Sequence, residues 1–232
     1  MEQFMTKSPL YALALAVAPW AAANAQIVNL APTDGLSVWQ ISCVKKTPNP
    51  AAPDCDPTYN TAVRVNATPS GWTSVPLNSA YYISTNSSAS VWSNTPDELD
   101  NYEYIFRTSF LAPFAGTGQV SLSGLWLDNY WGGYSTDGTN YTLTGITPEP
   151  GGVNSNNWNK QFELSFTADF EAGSNDLYFK LYGNGRTDGL LAWGDVEFAS
   201  GPQETVPEPA TMTLLATGLA GMAAARRRRR TV

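Results

Sequence analysis

The chain has no histidine, and charged residues fill only 14% of its 232 positions. Without an imidazole there is no Ser-His-Asp or Cys-His catalysis and no histidine-based zinc site. Long amphipathic helical patterns are missing, and no internal period marks a propeller or solenoid. Basic residues are scarce. Setting aside residues 1–25 and the five terminal arginines leaves seven basic and nineteen acidic residues, a charge of about −12. Such a body repels nucleic acid and anionic membrane surfaces, so DNA and RNA are not expected as partners. Aromatics at 12% are too many for a disordered chain.

The first segment, "MEQFMTKSPLYALALAVAPWAAANAQ", puts Lys7 before a short apolar run from Leu10 to Ala18. Ala23-Asn24-Ala25 then fits the small-residue cleavage rule of a signal peptide. Residues 1–25 are therefore expected to be a removable export signal, with the Sec-type export machinery and signal peptidase as partners. The run is too short to remain as a membrane span. Export gives the two cysteines a meaning. Cys43 and Cys55 enclose a Pro-rich loop, and in an oxidising compartment they are expected to pair.

The opposite end reads "VPEPATMTLLATGLAGMAAARRRRRTV". Residues 210–225 carry no charge and as a helix would reach about 24 Å, a little short of a hydrocarbon core of roughly 30 Å. Arginine snorkelling and local thinning would cover the difference, so a transmembrane helix is expected there. Residues 226–232 form a basic cytoplasmic tail, in which Arg226, Arg227, Arg228, Arg229 and Arg230 act as a stop-transfer cluster with the acidic body outside. Residues 201–209 are a linker ending in Pro207, Glu208 and Pro209. A plain membrane anchor is the other reading of this order.

Pro-Glu-Pro, an apolar segment and an arginine cluster, in that order, resemble the PEP-CTERM sorting signal of Gram-negative bacteria. The resemblance implies processing by an exosortase, an integral membrane enzyme, near Pro207–Pro209. It implies transient anchoring in the inner membrane, then delivery to the envelope, surface or matrix, and an association with exopolysaccharide and biofilm.

Between the two signals, residues 26–200 show short runs of alternating apolarity separated by turn residues. In "QFELSFTADF" Phe162, Leu164, Phe166, Ala168 and Phe170 share one face. In "DLYFKLY" Leu177, Phe179 and Leu181 do so, and in "GQVSLSGLWL" Val120, Leu122 and Trp126. "EYIFRTSF", "SVWQISCV", "TAVRVN", "AYYIS", "NYTLTGI" and "LLAWGDVEF" complete the set. The fold class is all-β, a two-sheet antiparallel sandwich. The order of features over about residues 102–199 resembles the galactose-binding-like jelly roll of many carbohydrate-binding modules. Asp137-Gly138 would form a hairpin tip, and Gly173, Asn175 and Leu177 a late turn and core strand.

The stretch "DNYWGGYSTDGTNY" reads as an aromatic loop. Tyr130, Trp131 and Tyr134 are candidate stacking platforms for sugar rings, with Asp128 and Asn129 fixing hydroxyls. Tyr141, Trp158, Asp137, Asn140 and Asn157 lie in the same neighbourhood, while Trp126 reads as core. Carboxylates at Asp54, Asp56, Asp97, Glu98 and Asp100 lack EF-hand spacing and read as solvated loops. No cofactor is expected, with calcium left open as a bridge to anionic polysaccharide. Glu163 and Glu171 are candidates for a two-carboxylate glycosidase. The reading that follows is a non-catalytic surface or extracellular-matrix component. The alternatives are a carbohydrate-binding module and, below it, a glycoside hydrolase.

Overall fold

The computed structural model describes residues 25–33, 38–46, 52–66, 72, 74, 78–90, 102–128, 130–148, 157, 159–184, 187–199, 217–219, 222 and 226. It is built almost wholly of strands in two antiparallel sheets. The first sheet runs in the order β4 (Val63–Arg64), β5 (Ile83–Ser84), β12 (Gly189–Phe198), β7 (Gly116–Asp128), β10 (Phe162–Phe170) and β9 (Ile146–Thr147). β1 (Gln26–Leu30) lies along β12 on the same side as β5, opposite β7. The second sheet runs β3 (Asn60–Thr61), β2 (Trp39–Lys45), β6 (Tyr102–Ala112), β11 (Gly173–Gly183) and β8 (Tyr130–Ser135).

Alternation decides which side chains meet between the sheets. On β10, Phe162, Leu164, Phe166 and Phe170 are buried while Glu163, Ser165 and Thr167 are exposed. On β11, Leu177, Phe179 and Leu181 are fully buried, each contributing about 1.5–3 kcal/mol. β6 places Tyr104, Phe106 and Phe110 against them in the same cluster. Phe110 and Phe170 meet edge to face across the sandwich at 5.1 Å.

On β7 the alternation breaks. Leu164 pairs with Leu122 but Phe162 pairs with Leu125, and Gly194 pairs with Leu122 but Trp193 with Gly124. Both neighbours therefore show one extra residue in β7, a bulge around Ser123. Val120 and Leu122 face the main core, and after the bulge Leu125 and Leu127 take over. Trp126 is turned to the opposite face. There it joins a second cluster with Val65, Trp72, Ala80, Tyr82, Ala89 and Leu191 on the outside of the first sheet. The expectation that Trp126 shares a face with Val120 and Leu122 is corrected accordingly; period-two counting cannot see a bulge.

Three other expectations change. Residues 130–135, read as loop, form β8. "TAVRVN" splits into β3 and β4, which belong to different sheets. "NYTLTGI" contributes only β9 and a bridge between Thr142 and Tyr134. Asp137-Gly138 does sit at the tip linking Tyr134 to Thr142, with Gly138 at φ +72°. At the later turn the positive φ belongs to Gly173 alone, while the Asn175 side chain clips Glu171 N and O at 3.1 and 2.7 Å.

Cys43 and Cys55 form the expected disulfide, with Cα atoms 5.5 Å apart. Gln26, the first residue after the expected signal cleavage, pairs with Phe198, the last residue of β12. Both ends of the body thus leave from the same end of the first sheet. Among the described residues no helix is long and apolar enough to cross a membrane. Thr217–Leu219, Met222 and Arg226 are helical and exposed. The rest of the expected span, Pro207, Glu208, Pro209 and Arg227 to Arg230 lie outside the described residues, as do the residues of the signal before Ala25.

Candidate functional site: a tyrosine-lined sheet face

Because Leu177, Phe179 and Leu181 point inward, Tyr178, Lys180 and Tyr182 must point out from the second sheet. Their cross-strand partners on β6 are Arg107, Ile105 and Glu103, and on β8 Ser135, Gly133 and Tyr130. Tyr59, just before β3, and Tyr141, after the Asp137-Gly138 tip, reach onto the same face. Five half-buried tyrosines are thereby interleaved with ions.

Two parallel constructions hold this surface. In one, the Arg107 guanidinium lies 4.4 Å from the Tyr59 ring centroid, and its Nε donates to Gln40 Oε1 at 2.9 Å. Its Nη1 sits 3.7 Å from Asp176 Oδ2. Tyr178 donates to Asp176 at 3.2 Å and meets Tyr59 edge-on at 6.2 Å. In the other, Lys180 Nζ lies 3.9 Å over Tyr141 and 3.5 Å from Glu103 Oε1. Lys46 approaches the second oxygen of Glu103 at 3.4 Å. Tyr130 and Tyr182 stack beside them at 4.9 Å. Gly132 makes this possible: a Cβ there would stand 2.6 Å from Lys180 Cγ and 2.8 Å from the Tyr182 ring. Burial pushes the phenols of Tyr59, Tyr141 and Tyr178 up, so they stay protonated donors at neutral pH.

Of the sequence candidates, only Tyr130 and Tyr141 lie on this face. Trp131 is 5% exposed, sits in the main core, and donates Nε1 to Leu143 O at 3.2 Å. Tyr134 stacks on Phe166 at 3.7 Å, between the sheets. Trp131 and Tyr134 both face inward because β8 shifts register between them. Asp128 is buried, its Oδ2 accepting from Trp72 Nε1 at 3.0 Å and from Thr187 at 3.5 Å while Oδ1 has no partner. Burial first, and the nearby Asp188 second, raise its carboxyl well above the usual range. Asn129 and Trp158 lie outside the described residues. The structure does not gather Asp128, Tyr130, Trp131 and Tyr134 on one exposed surface.

The carboxylate candidates are dispersed. Asp137 and Asp56 cap their own turns: Asp137 accepts from the amides of Thr139 and Asn140, both at 2.8 Å, and Asp56 from Thr58 and Asn60. Those bonds hold both carboxyls below their ordinary value. Asp54 is exposed beside Lys45, Asn157 is buried, and Asp97, Glu98 and Asp100 lie outside the described residues. Among the described residues no three His, Cys, Asp or Glu side chains converge on a metal position. Glu163 and Glu171 stand at opposite ends of β10, eight positions apart. At ~3.3 Å per residue that is about 26 Å, far beyond the roughly 5–9.5 Å of a glycosidase pair. Those two carboxylates do not form one.

The missed residues had a signal. In "DLYFKLY" the non-core positions are Asp, Tyr, Lys and Tyr, two of them aromatic where a solvated face normally carries small polar residues.

No curated protein matches the chain. Among solved structures it is similar to the native structure of a family 35 carbohydrate-binding module from Clostridium thermocellum. That likeness has 12% identity and a TM-score of 0.35, and covers 75% of this chain and 98% of that one. At the other end of the molecule the order of Pro-Glu-Pro, apolar segment and arginines finds its counterpart: residues 205–230 match the PEP-CTERM protein-sorting motif, and the chain carries that sorting signal at its C-terminus.

Proposed function

We propose that this chain is an exported, exosortase-processed component of the cell surface or extracellular matrix, and that its body, a jelly roll, works by contact rather than catalysis. The sorting motif at residues 205–230 carries this reading, since it implies export through the inner membrane. The signal at residues 1–25 and a membrane helix at 210–225 agree with that topology. Processing near Glu208 then releases the body or transfers it to the surface or matrix. A contact role is supported by the body itself, where the described acids are dispersed over turns and strand faces or, like Asp128 and Asp188, buried. Cell fractionation with intact-mass measurement tests it. The expected product begins at Gln26 and has lost the arginine cluster, and a full-length chain retained in the cytoplasm would sink the reading.

The tyrosine-lined face favours a second reading, that the body binds carbohydrate. Sugars lay their C–H faces on aromatic rings while polar neighbours hold the hydroxyls. Tyr178 and Tyr182 with Arg107, Gln40 and Asp176 supply both kinds of contact. Pull-down on insoluble polysaccharide with and without Tyr182→Ala tests it, and retention of neither protein counts against it.

A further inference from the structure

The tyrosine face is electrically unlike the rest of the body. Lys46, Arg107 and Lys180 there face Glu103, Asp176 and, at the hairpin tip beside Tyr141, Asp137. The face thus balances three basic against three acidic residues, while the rest of positions 26–225 keeps four basic and sixteen acidic ones. A polyanion is repelled by the net negative charge of the rest of the body and meets a balanced, cation-bearing surface on this one. A neutral polymer gains nothing from that contrast.

We propose that this face binds an extended acidic polysaccharide, a chain of sugar rings bearing carboxylates. The proposal rests on the carbohydrate reading of the same site and adds the charge class of the ligand. Tyr178, Lys180 and Tyr182 recur on one side of β11, spanning about 13 Å at ~3.3 Å per residue, so consecutive sugar rings run along one strand. The rings lie on Tyr182 and Tyr178. Lys180 and Arg107 supply the charge between and beside them. Their present partners leave donor capacity over. Glu103 and Asp176 stand 3.5 and 3.7 Å away, beyond the roughly 2.7–2.9 Å of a charge-assisted hydrogen bond. A ligand carboxylate that closes to hydrogen-bonding distance therefore adds to what the internal pairs provide. Arg107 is already held flat, its Nε and Nη2 both donating to Gln40 Oε1 and Tyr59 covering its face, so a ligand carboxylate meets a fixed guanidinium at the Nη1–Nη2 end.

The test uses the exported protein and three probes in the presence of a chelator. The probes are alginate, the propylene-glycol ester of alginate in which the carboxylates are capped, and oligothymidylate. Alginate is expected to bind, with affinity falling at least about tenfold between roughly 50 and 300 mM salt. Arg107→Gln and Lys180→Gln are each expected to weaken it by about tenfold, and Lys180→Arg to restore most of that loss. Melting temperatures are read beside each titration, and if Lys180→Gln does not fold, Arg107→Gln carries the comparison. Equal binding of acid and ester, indifferent to both substitutions, overturns the acidic class while leaving carbohydrate binding in place. Binding of neither polysaccharide removes both. Tighter binding of oligothymidylate than of alginate overturns the proposal in favour of a nucleic-acid surface.

Discussion

Cutting the Cys43–Cys55 bond isolates a single contribution to stability. The disulfide joins positions 12 apart, closing a loop of about 13 residues. In the chain-entropy treatment this removes unfolded-state freedom equal to about 3 kcal/mol at 25 °C. The folded loop has other restraints. Cys43 N donates to Asp56 O at 2.8 Å, Tyr102 Oη to Pro53 O at 2.9 Å, and Lys45 Nζ to Ala52 O at 2.5 Å. These bonds span the loop from β2 and β6, so the native conformation is expected to survive reduction. Reduced wild-type protein should therefore lose about 3 kcal/mol, or roughly 6–12 °C in melting temperature for a domain of this size. Cys43→Ala with Cys55→Ala should lose about 1 kcal/mol more, because Cys43 is 1% exposed in the core and its sulfur leaves a gap. Urea melts of oxidised, reduced and doubly substituted protein supply the comparison. A loss under about 1 kcal/mol on reduction, with an unchanged urea slope, would refute the entropic account. A collapse of the fold on reduction would refute the claim that the hydrogen bonds suffice.

Gly124→Ala should destabilise by about 1–3 kcal/mol, since its Cβ would stand 2.2 Å from the Trp193 ring. Gly173→Ala has open space but φ +98°, so its loss of about 1–3 kcal/mol should come from backbone strain alone. Parallel denaturant melts should resolve both. For Asp128 the carboxyl is raised on folding, so its stabilising share is full below the unfolded value near 3.9 and is lost as pH rises through the folded value. Asp128→Asn keeps an acceptor for Trp72 and does not ionise. It should be more stable than wild type at pH 7, with a gap that narrows as the pH falls toward 4. A gap that stays flat with pH would show that ionisation of Asp128 is not the cause.

How much of this was readable beforehand depended on local regularity. β10 and β11 alternate without interruption, so their inward residues can be read one by one from the sequence. β7 contains a bulge whose only trace is Ser123-Gly124, and a single extra residue reverses the side of everything after it, Trp126 included. β8 is hidden because Gly132-Gly133 imitates a loop, whereas Gly132 lets Lys180 and Tyr182 lie across the strand and Gly133, at φ +115°, lets Thr142 approach its backbone. β3, β4, β5 and β9 are two residues each, too short to carry a period. The tyrosine face depends on register between strands far apart in sequence, so Arg107 and Tyr59 could not be placed beside Tyr178 without the sheet order. The sorting motif was legible in full, because a processing enzyme reads it as a linear order of residues rather than as a surface.

The pairing of Gln26 with Phe198 also settles how the body bears a load. A tail fixed at one end and a ligand held on the tyrosine face would pull the fold through the C-terminal end of β12. That strand is not at a rim: β7 flanks it along one side and β1, then β5, along the other. Tension along it must slide many hydrogen bonds at once instead of peeling them singly. A molecule moored by this strand resists drag from flowing liquid far better than one moored by β9 or β3.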